Sequence, residues 1–380
     1  MATPAKSTGV FLSLPSMKLP LSIAFLAFAG SLSAASAPPA GYAERATAQA
    51  AANTEVGIRR TPPQVIPVPT EGVSPQSQVQ IAVPYPPHFN ADPKTPAEWK
   101  ALVAARAAPV IASLPALKAR LGVTVEATQI GGVAAFLVTP KTVAPQNRDR
   151  VLLHLHGGAY VFSPGESALP EAIMMAGFGG FKVVSVDYRM PPDHPYPASM
   201  DDATAVWREL VKTNDPRKMA VFGTSTGGAM TLALVLRAKA AQLPLPAALA
   251  PGTPWSDIAK VGDTYLTNEW IDNVLVTWDG FLGRAALLYA AGHDLKDPII
   301  SPIYGDFTGF PPTILTSGTR DLFLSNTVRT HRKLRRAGIV AELHVYEGQS
   351  HGGYGRDVEA PETREAFGEI AAFFDRHLAK

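Results

Sequence analysis

The chain has 380 residues, of which 46% are hydrophobic and 17% are charged, and its formal net charge is +2. It has no Lys/Arg run of the kind that follows a phosphate backbone, which argues against nucleic acid as a partner and against a polyanionic substrate. The absence of cysteine excludes disulfides, thiolate metal sites and a cysteine nucleophile.

The N-terminal part has the pattern of an export signal. Lys18 precedes an apolar run from Leu19 to Gly30, and small residues follow this run. The run is shorter than the roughly 20 residues that cross a bilayer. We therefore expect residues 1–37 to be a signal peptide and the mature protein to be exported, periplasmic or secreted, without a stable membrane span. An uncleaved N-terminal anchor is the alternative. Met17 offers another start of translation. The exact cleavage site stays open, because Pro38 would hinder cleavage directly before it.

The next segment, residues 38 to about 90, is rich in proline, alanine, glutamine and serine and has no sustained period. This composition predicts a linker or a loosely packed arm that lies over the main body. Residues 96–113 are predicted to be helical, because apolar residues recur near helical spacing and Pro96 fits a first turn.

From Val123 onward, short apolar strands alternate with helical stretches, and Gly131-Gly132 predicts a hairpin between the first two strands. Such alternation is typical of a mostly parallel, doubly wound α/β sheet with helices on both faces. The segment from about 255 to 300 interrupts the pattern and is predicted to leave the sheet and help to wall a pocket. The predicted strands begin at Val123, Ala134, Val151, Lys182, Met219, Pro312 and Glu342, and the predicted helices cover 200–212, 226–241, 325–337 and 362–378.

The sharpest local motif is Gly223–Gly228, with the sequence GTSTGG, between a strand and a helical run. This context is typical of a nucleophile elbow, in which a strained turn exposes a serine hydroxyl above the sheet. Flanking glycines let the helix pass close to the strand, and the helix N-terminus directs N–H groups at the site. The motif therefore predicts Ser225 as a nucleophile, and a glycine-rich turn with a capping serine is the alternative.

A glycine pair follows the strand Val151–Leu155, in the segment His156–Ala159. In hydrolases with an elbow, this loop supplies oxyanion donors together with the residue after the nucleophile. His154 and His156 are an alternative metal pair, but no carboxylate or third histidine stands nearby in sequence, and we expect neither metal nor cofactor. The predicted oxyanion donors are the backbone N–H groups of Gly157, Gly158, Ala159 and Thr226.

A serine hydroxyl needs a base, and His351 is the best placed histidine because it follows a strand in a glycine-rich loop. Asp321 fits the order Ser, Asp, His and also follows a strand. All three residues lie just past predicted strand ends, where open α/β sheets bind ligands. Glu347 and Asp306 are weaker candidates for the carboxylate. The alternatives for His351 and Asp321 are a solvated loop histidine and a helix cap.

Together these motifs resemble the hormone-sensitive-lipase-like esterases (bacterial family IV) of the α/β-hydrolase superfamily, from about Val123 to the C-terminus. His156–Ala159 is similar to that family's His-Gly-Gly-Gly motif, and Gly223–Gly228 is similar to its Gly-Asp-Ser-Ala-Gly-Gly elbow. Asp187–Ala198 is similar to its Asp-Tyr-Arg-Leu-Ala-Pro-Glu-His-Pro-Phe-Pro-Ala segment. The resemblance implies an α/β-hydrolase fold with an antiparallel N-terminal hairpin and a small helical cap. The expected domains are 1–37, 38–120 and a catalytic domain over 121–380.

The resemblance also implies a Ser225–Asp321–His351 triad that cleaves small-molecule carboxylic esters of short to medium acyl chain through an acyl-enzyme intermediate. A lactone, amide, carbonate or polyester bond is the alternative with the same mechanism, and a non-catalytic binding protein on this fold is the further alternative. Ala159 departs from the family's last oxyanion glycine, which puts esters of bulky alcohols in doubt. The sequence leaves the oligomeric state open. Candidates for the pocket wall or the core are Tyr160, Phe162, Trp255 and Trp270.

Overall fold

The computed structural model describes residues 65–380, so the predictions for residues 1–37 and for most of the arm lie outside the described residues. The centre of this part is an eight-stranded sheet. Its strands are β1 (Val123–Ile130), β2 (Val133–Pro140), β3 (Val151–Leu155), β4 (Lys182–Val186), β5 (Met219–Thr224), β6 (Ala248–Gly252), β7 (Thr313–Gly318) and β8 (Ala341–Tyr346).

The strands lie in the spatial order β1-β2-β4-β3-β5-β6-β7-β8. β2 pairs antiparallel with β1 and with β4, and every other neighbouring pair is parallel. The predicted α/β class, with a mostly parallel sheet and an antiparallel hairpin at its start, is confirmed. In such a sheet the carboxyl ends of the parallel strands share one edge, and ligands bind along that edge.

Helices cover both faces of the sheet because successive strand residues point to opposite sides. In β3, Leu153 belongs to one buried apolar cluster and Leu152 to the other. Leu153 lies opposite Val184 of β4 and Val221 of β5, which belong to the same cluster. Within the described residues the helices are α1 (Pro75–Ala82), α2 (Pro96–Leu121), α3 (Pro170–Gly179), α4 (Ala198–Thr213), α5 (Thr226–Ala240), α6 (Thr264–Thr267), α7 (Gly283–Ala290), α8 (Leu324–Arg336) and α9 (Pro361–His377).

The helix α2 begins at the predicted Pro96 but continues to Leu121, beyond the predicted end at 113. Thr95 and Glu98 form a capping box at its start, which satisfies N–H groups that the helix leaves free. By length and composition alone, with a mean hydropathy of 1.4, this helix could cross a membrane. Trp99 and Leu114 of α2 are buried in the described body.

Further elements of the fold differ from the sequence prediction. The helix α1 lies in the segment that was expected to be a linker or a loosely packed arm. The central strand β6 was not predicted, because Pro251 lacks the N–H that a strand inside a sheet normally donates. The helix α3 was also not predicted. As predicted, the chain leaves the sheet between β6 and β7, where residues 255–300 form irregular segments with α6 and α7. Val274 and Phe281 of this excursion line a cavity at the carboxyl edge of the sheet.

Candidate active site

Ser225 lies in a sharp turn between the end of β5 and the start of α5. Its φ and ψ angles are 66° and −123°, a conformation that L-residues rarely adopt. Such backbone strain has a cost in stability, and strained residues are found mostly at functional sites. The close crossing of strand and helix requires glycine at Gly227, where an added Cβ would lie 1.9 Å from the carbonyl oxygen of Leu155. The same holds for Gly223, at 2.0 Å from that oxygen. The turn therefore has the geometry of the predicted nucleophile elbow.

Asp321 and His351 form a buried pair on the two loops that follow β7 and β8. The Nδ1 atom of His351 lies 3.0 Å from Oδ1 of Asp321. Since a carboxylate only accepts hydrogen bonds, Nδ1 carries the proton and Nε2 is left as the basic nitrogen. Ser225 and His351 line the same cavity, although no hydrogen bond joins their side chains. Catalytic hydrogen bonds are often long before substrate binds.

Four donors hold the Asp321 carboxylate, which is fully buried. Oδ1 accepts from His351 and from the backbone N–H of Phe323 at 2.8 Å. Oδ2 accepts from the hydroxyl of Ser317 at 2.8 Å and from that of Thr253. Sequence reasoning missed Thr253 and Ser317, because a single hydroxyl in a loop or strand gives no motif. With its oxygens so engaged, Asp321 fixes the orientation of the imidazole.

Asp272, in the excursion between β6 and β7, ties the two loops of this pair together. Its Oδ2 accepts from the N–H of Leu322 at 2.8 Å and lies 3.4 Å from the N–H of His351. Its Oδ1 accepts from the N–H groups of Val274 and Leu275 within its own turn. Burial and the charge of Asp321 raise the pKa of Asp272. A second buried carboxylate thus contacts the backbone on either side of the pair, and sequence reasoning did not find it.

The loop His156–Ala159 approaches Ser225 closely. A Cβ at Gly157 would lie 3.3 Å from Cβ of Ser225 and 2.7 Å from the carbonyl oxygen of Thr224, so only glycine fits there. Within residues 65–380, the backbone N–H groups of Gly157, Gly158 and Ala159 donate no hydrogen bond. Thr226 is the first residue of α5, a position whose N–H has no partner within the helix. All four predicted donors therefore lie around the nucleophile with unused N–H groups.

The histidines of this strand and loop contact protein groups, and within residues 65–380 neither belongs to a cluster of three or more side chains that could hold a metal ion. His154 contacts Ser185 at 2.9 Å and Glu171 at 3.1 Å through its two ring nitrogens. His156 stacks on Tyr188 at 4.0 Å between ring centroids, and burial lowers its pKa to about 3. The neutral His156 ring supports the backbone of the glycine loop through a 2.7 Å contact with the oxygen of Gly157.

Thr224 of the elbow stands where the family that this sequence resembles has aspartate. Its hydroxyl and its backbone N–H contact the carboxyl group of Glu171 in α3. Oγ1 of Thr224 donates to Glu171 at 2.7 Å, and its N–H donates to the same carboxylate at 3.2 Å. A carboxyl group from α3 thus contacts the residue that precedes the nucleophile.

The other candidate residues are distributed between the cavity, the core and the surface. Phe162 lines the cavity, whereas Tyr160 and Trp255 are core residues that stack on Tyr289 and Phe323. Trp270 is 54% exposed. The rival carboxylates lie outside the cavity: Glu347 is exposed, and Asp306 pairs with Lys239 at 3.3 Å.

The cavity has a volume of about 300 Å³ and collects the groups described above at one edge of the sheet. Its walls come from the glycine loop, α2, α3, the excursion and the loop of His351. A basic imidazole, a serine hydroxyl that lines the cavity and free N–H donors around one apolar space suit acyl transfer through a covalent intermediate.

Comparison with known proteins gives a consistent result. Residues 152–354 match the model of a family with the α/β hydrolase fold. The chain is 31% identical over 240 residues to an acetyl-hydrolase of Streptomyces hygroscopicus, with coverage of 63% of this chain and 79% of that protein. It is 28% identical to an esterase of Acinetobacter venetianus, with coverage of 60% and 76%.

Solved structures show the same likeness. Esterase E25 superimposes with a TM-score of 0.81 at 45% identity and covers 84% of this chain and 99% of its own. A hormone-sensitive lipase from a metagenome library superimposes with a TM-score of 0.64 at 25% identity, with coverage of 75% and 99%.

Proposed function

This chain belongs to the α/β-hydrolase family, and we propose that Ser225, His351 and Asp321 are the triad with which it works. It is an enzyme that hydrolyses carboxylic esters, as its esterase and acetyl-hydrolase relatives indicate. The observation that carries the assignment is the position of His351, which contacts Asp321 at 3.0 Å and lines the same cavity as the strained Ser225.

The reaction begins when Nε2 of His351 accepts the proton of Ser225 and the serine oxygen attacks the ester carbonyl. The imidazolium that forms is stabilised by Asp321. It then gives its proton to the leaving alcohol as the carbon–oxygen bond breaks, which leaves an acyl group on the serine. A water molecule, deprotonated by the same imidazole, attacks the acyl-enzyme and releases the acid. The serine recovers its proton, so no other reactant is consumed.

The unused N–H groups of Gly157, Gly158, Ala159 and Thr226 stabilise the negative oxygen of the tetrahedral intermediate. Each such donor is typically worth about 2.7–4 kcal/mol of barrier. They act in a site where Ser225 is only 9% exposed, so water competes little for these donors.

The size of the cavity sets the expected substrate range. Its volume of about 300 Å³ is at the small end of ligand pockets, which favours esters of short to medium acyl chain. Ala159 lines this space with a methyl group at a positive φ of 53°, which narrows it further. Esters of bulky alcohols are therefore expected to react slowly.

The replacement Ser225→Ala tests the assignment. We expect kcat/KM for 4-nitrophenyl butyrate to fall by at least about 10,000-fold, because the nucleophile is lost. A serine-directed phosphonate should add its mass to the native chain at Ser225 and should not label the variant. Ser113→Ala, on the exposed side of α2, is the matched control and should retain full activity. Full activity in a folded Ser225→Ala variant would contradict the proposal.

We also propose that the protein is exported. The support is the sequence pattern of Lys18 followed by the apolar run from Leu19 to Gly30, which lies outside the described residues. Mass spectrometry of the N-terminus, after expression in a bacterial host, tests this proposal. A chain shortened near residue 37 in the periplasm or medium is expected, whereas a full-length chain that stays in the cytoplasm would contradict it.

A further inference from the structure

Two arginines line the cavity that contains Ser225. Arg106 comes from α2, and Arg356 follows the loop of His351. Within residues 65–380 neither guanidinium forms an ion pair with a carboxylate, although several other arginines do so. Two cations thus border the space in which an ester would bind, and within the described residues neither is in an ion pair with a carboxylate.

Arg106 is the more deeply placed of the two. It lies on the side of α2 that also buries Trp99 and Ala107, a position where an apolar side chain would be expected. Its guanidinium carbon is 3.9 Å from the ring centre of Phe162 and 5.2 Å from that of Phe281. Stacking occupies the face of the guanidinium and leaves its N–H edge free for a planar acceptor.

The free edge of Arg106 is visible in its contacts. Its Nη1 atom is buried and has no hydrogen-bond partner in the part of the chain that the structure describes. Burial, together with the charge of Arg356, lowers the pKa of Arg106 to about 10, which still leaves it charged near neutral pH. A buried donor without a partner is costly, and a buried charge without a partner is more so.

Arg356 lines the same cavity, and part of the residue is exposed to solvent. Two carboxylates must be considered as partners of these arginines: Glu171 lines the same cavity, and the charge of Asp272 acts on Arg356. Glu171 is already bonded to Thr224 and lies 3.1 Å from His154. Both oxygens of Asp272 accept backbone N–H groups. Neither carboxylate forms an ion pair with these arginines, so both cations remain available to a ligand.

We propose that Arg106 and Arg356 bind a carboxylate carried by the substrate, so that the preferred substrate is an ester with one acidic group. This inference rests on the proposed function and narrows its substrate class. A carboxylate would meet the free guanidinium edge with charge-assisted, bidentate geometry. The apolar side chains of Met174 and Leu282 in the same cavity favour a short hydrocarbon spacer between the acid and the ester.

Matched ester pairs test the proposal on the purified chain and show which part of the substrate carries the acid. For the acyl part, the pair is 4-nitrophenyl butyrate and the mono-4-nitrophenyl ester of glutaric acid. For the alcohol part, the pair is phenyl acetate and 3-acetoxybenzoate. Each kcat/KM is divided by the alkaline hydrolysis rate of the same ester, which removes differences in intrinsic reactivity. In at least one pair the acidic ester is expected to be preferred about tenfold or more.

Variants assign the preference to the arginines. Arg356→Gln is expected to lower the acidic-to-neutral ratio of kcat/KM about tenfold, mainly through the KM of the acidic ester. Arg106→Gln should lower the ratio by about tenfold to a hundredfold. Arg208→Gln, an exposed arginine on α4 outside the cavity, is the matched control and should keep the ratio. If Arg106→Gln fails to fold, the acidic-to-neutral ratio measured for Arg356→Gln still tests the proposal. The salt dependence of kcat/KM for the acidic ester is a second test.

The outcomes separate the two proposals. If the wild-type enzyme hydrolyses neutral esters but prefers them in both pairs, the carboxylate inference is overturned and the triad assignment stands. Equal losses for both members of a pair in Arg356→Gln would also overturn it. If no ester is hydrolysed, or Ser225→Ala stays active, the proposed function fails and the inference falls with it.

Discussion

Replacement of Asp272 by asparagine is expected to slow the chemical step while substrate binding is nearly retained. Asp272 does not line the cavity, but its Oδ2 accepts the N–H of Leu322, the residue after Asp321. The same oxygen lies 3.4 Å from the N–H of His351. One carboxylate oxygen therefore connects the loop of the acid to the loop of the base.

The size of the effect follows from these contacts. Asparagine has one carbonyl oxygen, so its NH₂ group must face either the Leu322 N–H or the N–H groups of its own turn. Loss of one buried hydrogen bond to a charged acceptor costs about 1.5–3 kcal/mol. Removal of the charge offsets part of this cost in stability, because burial and Asp321 raise the pKa of Asp272. If about 1.4–2 kcal/mol appears in the barrier, kcat falls about tenfold to thirtyfold.

Steady-state kinetics on 4-nitrophenyl butyrate, with thermal unfolding in parallel, checks this expectation. The variant should show the lower kcat, a KM within about threefold of the wild type and a small shift in Tm. Asp306→Asn, at an exposed aspartate that pairs only with Lys239 and neighbouring backbone, is the control and should behave as the wild type. An unchanged kcat in a folded Asp272→Asn variant would refute the argument that this carboxylate positions the pair.

Two further predictions concern the elbow and the glycine loop. Gly227→Ala should yield little folded protein, because its Cβ would lie 1.9 Å from the carbonyl oxygen of Leu155. Gly368 lies in α9 with no atom near an added Cβ, so Gly368→Ala is the matched control and should raise the free energy of unfolding by about 0.5–1 kcal/mol. If the two variants gave equal yields of folded protein and equal stabilities, both expectations would be contradicted. Burial lowers the pKa of His156 to about 3 from 6.5, so below pH 6.5 the unfolded chain binds the proton first. Urea unfolding should therefore show a stability loss of up to about 1.4 kcal/mol per pH unit from this residue between about pH 6.5 and 5, and His156→Gln should reduce that slope.

The elbow and the glycine loop could be predicted from sequence because their requirements are local. Gly223 and Gly227 are fixed by the crossing of one strand and the helix that follows it, and both elements are contiguous with the motif. The order of Ser225, Asp321 and His351 along the chain added the remaining constraint, since each follows a strand of the same sheet. A pattern of this kind needs no knowledge of the tertiary structure.

The parts that sequence reasoning missed depend on contacts between distant segments. Thr253 lies 68 positions before the carboxylate that it contacts, and Asp272 lies 79 positions before His351. Arg106 gives the pattern of a charged residue on a helix, and only packing shows that it faces the cavity. The strand β6 was hidden by Pro251, which the sheet tolerates at the end of the strand next to Gly223.

The hydrogen bonds to the pair of Asp321 and His351 and the side chain of Arg106 in the cavity come from different segments of the chain. Hydrogen bonds from β7, from the loop after β6 and from Asp272 hold the buried pair of Asp321 and His351, and the residues that form them do not line the cavity. Arg106, in contrast, belongs to α2. This helix contributes to the lining of the cavity and provides none of the hydrogen bonds described for that pair. Replacement of the residues that hold the pair should therefore alter kcat with little effect on substrate choice. Replacement of Arg106 in α2 should alter substrate choice with little effect on kcat for neutral esters. Within the described residues no hydrogen bond or ion pair joins Arg106 to Asp321, His351 or Asp272, so the effects of combined variants on the barrier are expected to be additive within about 0.5 kcal/mol.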